Sequence, residues 1–504
     1  MTAITINRMH TRMRIPPAAM AEQARLKGVV ASAVDRVLES AIERQGISAH
    51  GYLCIRQVQA TMRLRLRQPD SVLAGIVAQA IADAISGAQR GESSIYYSSR
   101  THALIDLASS AMRADLERSW AWIQLGIWHD DARRSFATAA EQVIRALADE
   151  PQHAVAALAY LASDGSTLSA LLGWTDPNAW FRLAVAACKA YGASVEITEA
   201  NHTVVPSALA YEIGGRIVQR SRIARALTAA SMPRLPNTVL VALAALVVLE
   251  VEPASMRFSR APARTLLDSV VTRLQRSAER DETPRRSPSA PSEHRGAHQN
   301  SERTALLASE RDSIANGASA SEQEQAEPPL ADVRLIARTS AGGLVYLLNL
   351  IARTDLPDRV MHDHRLTQRG LRWTLHQLAI GLLALAPDDP AALAFAGLLP
   401  DNSPPNLGQE MPNEAELQAI DECRAALLAD LRAAMGDRLA LADSSDQALI
   451  DFVCRRDARI ACDPGWIEAH FALEDVSNEI RFAGLDLDPG WIPWLGVVVR
   501  FIYA

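Results

Sequence analysis

With 504 residues, 49% of them hydrophobic, the chain is long enough for two or three domains and a large core. A formal net charge of −7 argues against a general nucleic-acid binder, because neutralising phosphates needs a basic face. Cys54, Cys188, Cys423, Cys454 and Cys462 are widely spaced and include no Cys-x-x-Cys pair, which argues against a disulfide framework or a zinc knuckle.

The first ten residues lack the basic start and apolar run of a signal peptide. Ile4 and Ile6 alternate with Thr5 and Asn7 as in a strand. Pro16 and Pro17 then introduce a helix over about Ala18 to Gln45, whose apolar positions Val29, Val30, Ala33, Val34, Val37 and Leu38 recur at helical spacing. Met62, Leu64 and Leu66 alternate with Arg63, Arg65 and Arg67, the pattern of a second strand. The two strands could pair, leaving the arginine row solvated or free to dock an anionic surface. A helix follows from Ser71 to about Ser86, so residues 1–97 read as a small α/β region.

Residues 98–274 read as a helical domain. Trp120, Trp122 and Trp128 cluster with Ile123, Leu125 and Ile127, and Trp174 and Trp180 follow. Such clusters are usually core anchors, with partner contact as the functional alternative. Val239 to Leu249 is the most apolar run, too short for a bilayer and bounded by Asn237 and Thr238 before it and Glu250, Glu252 and Pro253 after it. It reads as a buried core helix. Residues 275–329, with Arg285-Arg286-Ser287-Pro288 and Ser321-Glu322-Gln323-Glu324-Gln325, are too polar to offset their ordering entropy and read as a disordered linker, with a short helix around Thr304 to Ser309.

Residues 330–504 read as a mainly helical C-terminal domain. Ala341 to Leu350 opens it, Arg369 to Leu385 is a helix ended by Pro387 and Pro390, and a proline-rich loop from Leu399 to Pro412 leads to a long helix over Glu414 to Met435. Ile467, Ala469, Phe471 and Leu473 alternate with polar neighbours, and Ile480-Arg481-Phe482 is the candidate pairing strand of a terminal hairpin. The fold class expected is mainly α: helical bundles with a small α/β element at the N-terminus and a short β element at the C-terminus, split by the linker.

Chemistry-bearing motifs are scarce. There is no phosphate-binding Gly-x-x-x-x-Gly-Lys run, no Gly-x-Ser-x-Gly elbow and no His-Glu-x-x-His helix. Gly214-Gly215 and Gly342-Gly343 are isolated pairs. His362-Asp363-His364 with His376 is the best metal candidate, but it reads better as loop histidines. Asp130 and Asp131 after His129 read as helix caps, and Asp486 and Asp488 as turn chemistry. No catalytic, cofactor-binding or metal residue is expected. The candidate partner-binding residues are Trp120, Trp122, Trp128, Trp373, Trp491 and Trp494.

Several stretches look familiar together: the front strand, helix and Ile55-to-Arg67 segment; Ser98-Ser99-Arg100-Thr101-His102-Ala103-Leu104 leading to the tryptophan cluster; Arg369-Gly370-Leu371-Arg372-Trp373-Thr374-Leu375-His376; and Leu487-Asp488-Pro489-Gly490-Trp491-Ile492-Pro493-Trp494-Leu495-Gly496. As a set they resemble proteins encoded with bacterial extracellular contractile injection systems, the phage-tail-like particles. The resemblance implies a structural, tape-measure-related or assembly role without a cofactor. Its partners would be tube, sheath or baseplate proteins, with no nucleic acid and no membrane. A ruler needs a long unbroken helix, whereas the longest proline-free interval, Asp70 to Glu150, would span at most roughly 120 Å and is interrupted by Gly87 and Gly91. A compact assembly factor or baseplate-associated component therefore fits better. The alternative is a cytoplasmic helical adaptor that holds a protein partner.

Overall fold

A computed structural model describes residues 4–6, 8–46, 51–89, 94–129, 135–193, 207–229, 235–258, 263–281, 333–400, 405, 411–436, 445–475 and 477–503. The chain is mainly helical, with a small strand pair near the front and a sheet at the C-terminal end. Most of the linker expected at 275–329, including its short helix, lies outside the described residues. Its front edge moves back, because the helix Ala263–Asp281 runs past Gln275.

Three hydrophobic cores organise the chain. The first belongs to an N-terminal helical hairpin, in which one continuous helical run, α1 (Gln23–Ser32) carried through a π-helical stretch at Ala33–Val37 into α2 (Leu38–Arg44), packs against α3 (Asp70–Ala88). Leu26, Val29, Leu38 and Ile42 meet Leu73, Val77 and Ala82 there. By length and composition α3 is apolar enough to cross a membrane. It also carries Asp83, which accepts from Gln45 and Gln79.

The expected front strands are not strands. Ile4 and Ile6 are exposed, and residues 57–65 form no ladder. The period of two is nevertheless real, because Met62, Leu64 and Leu66 pack on the hairpin core while the intervening arginines face out. A helical surface satisfies the alternation that a sheet was expected to satisfy. The strand pair that does form is β1 (Tyr52–Ile55) antiparallel to β2 (Ser94–Tyr97).

The second core runs from Cys54 to Leu274, takes in Val333, and joins β1 and β2 to α4 (Arg100–Ala111), α5 (Ser119–Gln124), α6 (Phe136–Asp149), α7 (Pro151–Leu161), α8 (Ser166–Trp174), α9 (Pro177–Ala190), α10 (Ala208–Arg220), α11 (Arg222–Ala229), α12 (Asn237–Val251), α13 (Ala254–Phe258) and α14 (Ala263–Asp281). The apolar run read as a core helix is α12, packed between α9 and α14 with Val241 through Val248 completely buried. A helix apolar on every side has to be surrounded. Pro236, rather than Asn237 or Thr238, occupies its N-cap position. Asp130 and Asp131 lie outside the described residues, and Ser135 caps α6.

The third core gathers α15 (Leu347–Arg353), α16 (Leu356–His362), α17 (Leu371–Leu383), α18 (Pro390–Phe395), α19 (Glu414–Met435), α20 (Asp446–Cys454) and α21 (Asn478–Phe482) around a sheet. The sheet is larger than the expected hairpin. It has five strands, β3 (Leu335–Thr339), β4 (Ala458–Asp463), β5 (Trp466–Phe471), β6 (Gly490–Ile492) and β7 (Val497–Tyr503), in the order β3-β4-β5-β7-β6. Only β5 and β7 run parallel. Ile480-Arg481-Phe482 does not pair with β5. It lies in α21, within the crossover that a parallel β5–β7 pair requires.

Candidate functional site

Buried polar side chains collect along the seam where the C-terminal sheet meets the helical lobe. Asp463 ends β4, Trp466 begins β5, and Pro464-Gly465 forms the turn between them. Gly465 has φ +69°, which suits the second central residue of a Pro-Gly turn. A Cβ on it would lie 2.7 Å from Ala156 on α7, so the bare backbone lets the hairpin tip press onto that helix.

On the other side, Ser99 caps α4 by accepting from the His102 amide at 3.1 Å. The cap puts Ser98 just outside the helix and His102 one turn in. Ser98 donates its hydroxyl to Asp463 Oδ2 at 2.7 Å and its amide to His102 Nδ1 at 3.3 Å, and its Oγ lies 3.1 Å from that nitrogen. Arg334 approaches Asp463 at 3.6 Å and pairs with Glu468. Glu468 also accepts from Trp466 Nε1 at 2.9 Å and meets His470 Nε2 at 3.2 Å. Burial pushes the Glu468 carboxyl up, but His470, the Arg334 charge and the hydrogen bonds outweigh it and hold it at about 2.

Serine, histidine and aspartate thus meet, but in the wrong order for a nucleophile. In a hydrolytic triad the histidine stands between the other two and takes the serine proton. Here the serine stands between them, is 4% exposed, and spends its proton on the carboxylate. This is a clasp between two lobes.

A second clasp lies farther along the seam. Arg372, at the start of α17, donates to the Glu250 carbonyl at 3.0 Å and to the Leu495 carbonyl at 2.8 Å. The Glu252 carboxylate sits against the same helix start, where exposed amides favour negative charge. Gly370, with φ +88°, makes room for it, since a Cβ there would lie 2.3 Å from Glu252 Oε2. Burial nevertheless raises the Glu252 carboxyl to about 7, against the opposing pull of Arg372 and Arg220. Trp491 completes the seam by donating to the Ala190 carbonyl at 3.0 Å and meeting Tyr191 edge-on at 4.9 Å.

The tryptophans chosen as partner-binding candidates belong to the chain's own packing. Trp122 and Trp128 are fully buried edge to face, and the Trp122 indole donates to Asp106. Trp373 and Trp494 are buried in the C-terminal core. Trp120 and Trp491 are half-buried against the helical core. A partner could reach the four buried rings only after local unfolding. The large aromatic pair that does face solvent is Phe136 and Trp174, 44% and 55% exposed and stacked at 6.2 Å.

His362 and His364 are exposed while His376 is buried and donates to the Pro387 carbonyl, so the three do not converge. Asp486 pairs with Arg481, and Asp488 accepts from the Phe501 amide. Among the described residues no three His, Cys, Asp or Glu side chains are grouped to hold a metal ion. Cys54, Cys188 and Cys454 are buried thiols that burial pushes up to about 11, 12 and 12. A small cleft of about 30 Å³ beside Arg100 and Glu150 has room for a water or two. No family model, curated protein or solved structure matches the chain.

Proposed function

We propose that this chain is a non-enzymatic structural or assembly component associated with a contractile injection particle. The observation that carries this reading is where the resembling stretches sit. Ser98–Leu104, Arg369–His376 and Leu487–Gly496 each contribute residues to the seam: Ser98 and His102, Gly370 and Arg372, Trp491 and Leu495. Three of the four stretches that carry the likeness therefore help to join the lobes; the front stretch packs in the N-terminal unit instead. Their polar atoms are spent on holding a shape, which suits a protein whose product is an assembly rather than a reaction.

A tape-measure role as a continuous ruler is poorly supported. Among the described residues the longest helix, α19, has 22 residues and spans roughly 33 Å. An assembly factor or baseplate-associated component is the better form of the proposal, with tube, sheath or baseplate proteins as partners. The test is deletion of the gene followed by electron microscopy and co-purification. Loss of assembled particles, restored by the wild-type gene, is expected. Particles of normal number and length in the deletion strain would overturn the reading.

The exposed Phe136–Trp174 stack favours a second reading, a helical adaptor for another protein. A stable complex formed in cells that lack any such particle would select it.

A further inference from the structure

The N-terminal unit carries charge of the opposite sign to the rest of the chain. Residues 1–89 hold eleven Lys and Arg against six Asp and Glu, a surplus of five positive charges, so the remainder of the −7 chain carries −12. Much of the surplus lies on two extended segments. Met13 and Ile15 on one, and Met62, Leu64 and Leu66 on the other, pack on the hairpin core. The alternate residues Arg12, Arg14, Arg63, Arg65 and Arg67 are exposed. The second segment is tied down by Arg25, which donates to the Leu66 and Gln68 carbonyls and pairs with Asp70.

This is strand patterning without a strand partner. Among the described residues no backbone hydrogen bond joins residues 8–15 or 57–64 to any other part of the chain. A row of unpaired amides and carbonyls in extended conformation is a template for another strand. Resting on the reading of the chain as a protein-binding component, we infer that residues 57–65, up to the turn at Leu66-Arg67, take up an extended segment of a protein partner that carries Asp or Glu at every second position. The partner's backbone would fill the open ladder, and its carboxylates would meet Arg63 and Arg65 on the ladder and Arg67 in the turn that follows it. A second copy would set arginine rows against each other. A lipid surface or a nucleic acid would answer the charge but leave the amides unpaired.

The test uses the full-length protein and hydrogen exchange at the amides of residues 57–65. The probe is a twelve-residue peptide of alternating glutamate and valine. A glutamate–proline peptide keeps the charge but not the strand, and a lysine–valine peptide keeps the strand but not the charge. The glutamate–valine peptide should slow exchange in this segment, and the two controls should not. The triple variant R63E/R65E/R67E should weaken binding by about tenfold or more, in keeping with the loss of three exposed ion pairs. No protection by the glutamate–valine peptide, or equal protection by the glutamate–proline peptide, would overturn the proposal. So would protection by phosphatidylserine vesicles or an oligonucleotide but not by the peptide. If the triple variant fails to fold, the three-peptide comparison on the wild-type chain still decides. Particle assembly restored by the triple variant in a deletion strain would sink this surface and leave the assembly reading standing. Normal particles without the gene would sink the assembly reading instead.

Discussion

Replacing Glu252 with glutamine tests whether the seam is governed by burial or by ion pairing. Burial raises this carboxyl from the ordinary 4.5 to about 7. The folded chain therefore holds a proton between these values where the unfolded chain has released it. The contribution to stability is greatest below pH 4.5, falls through the window, and levels off above about pH 7, a total change of roughly 3 kcal/mol. Glutamine keeps the size and removes the ionisation. In urea unfolding from pH 5 to pH 8, E252Q should match the wild-type chain at the acid end and exceed it at pH 8 by roughly 2–3 kcal/mol. The difference between the two chains is the quantity to read, because His153 acts in the opposite sense. Burial lowers that imidazole from 6.5 to about 4, so its contribution is lost as the pH falls through this range. A constant gap between the two chains across the range, or a variant weaker than wild type at pH 8, would show that Glu252 is held as a charge by Arg372 and Arg220.

Two other perturbations follow from the helical core. Asp106 accepts from Tyr97 and Trp122 and pairs with Arg118 at 2.7 Å, all buried. D106A should cost about 3–5 kcal/mol, measured by urea unfolding, since it removes one member of a buried pair; a cost below 1 kcal/mol would mean water replaces the carboxylate. The tryptophans should divide by burial: W122A should cost roughly 3–5 kcal/mol, whereas W174S should change thermal stability by less than about 1 kcal/mol. Equal costs would contradict the packing described for the two rings.

The longer helices were legible because their ends are written locally. Glu414–Met435 agrees with expectation at both ends: Asn413 and Glu416 form a reciprocal cap, and Gly436 follows the last turn at φ +61°. Helix α12 was legible from an apolar run bounded by Asn237 and Thr238 before it and Glu250, Glu252 and Pro253 after it, although the residue at its N-cap, Pro236, was not. The sheet was legible only in part. β5 alternates, but β4 is buried on both faces except at Arg459, so its sequence carries no period of two. Ile480-Arg481-Phe482 is too short for either periodicity to decide. The seam could not be read at all, because Ser98 and Asp463 become neighbours only through the fold. Gly370 and Gly465 were its faint local signals, single glycines beside charged or aromatic residues. The tryptophan cluster identified where mass is packed, and nothing in its spacing told an inner ring from an outer one.

The bond between Ser98 and Asp463 joins residues 365 positions apart. At about 5–20 residues per second, a ribosome delivers the carboxylate roughly 20–70 s after the serine. During that interval the helical lobe must keep the amino end of α4 and the side of α7 without the hairpin that later covers them. A chain stopped before β4 and β5 are made would leave this flank bare, so the closing of the seam waits on residues translated long after the helices they cover.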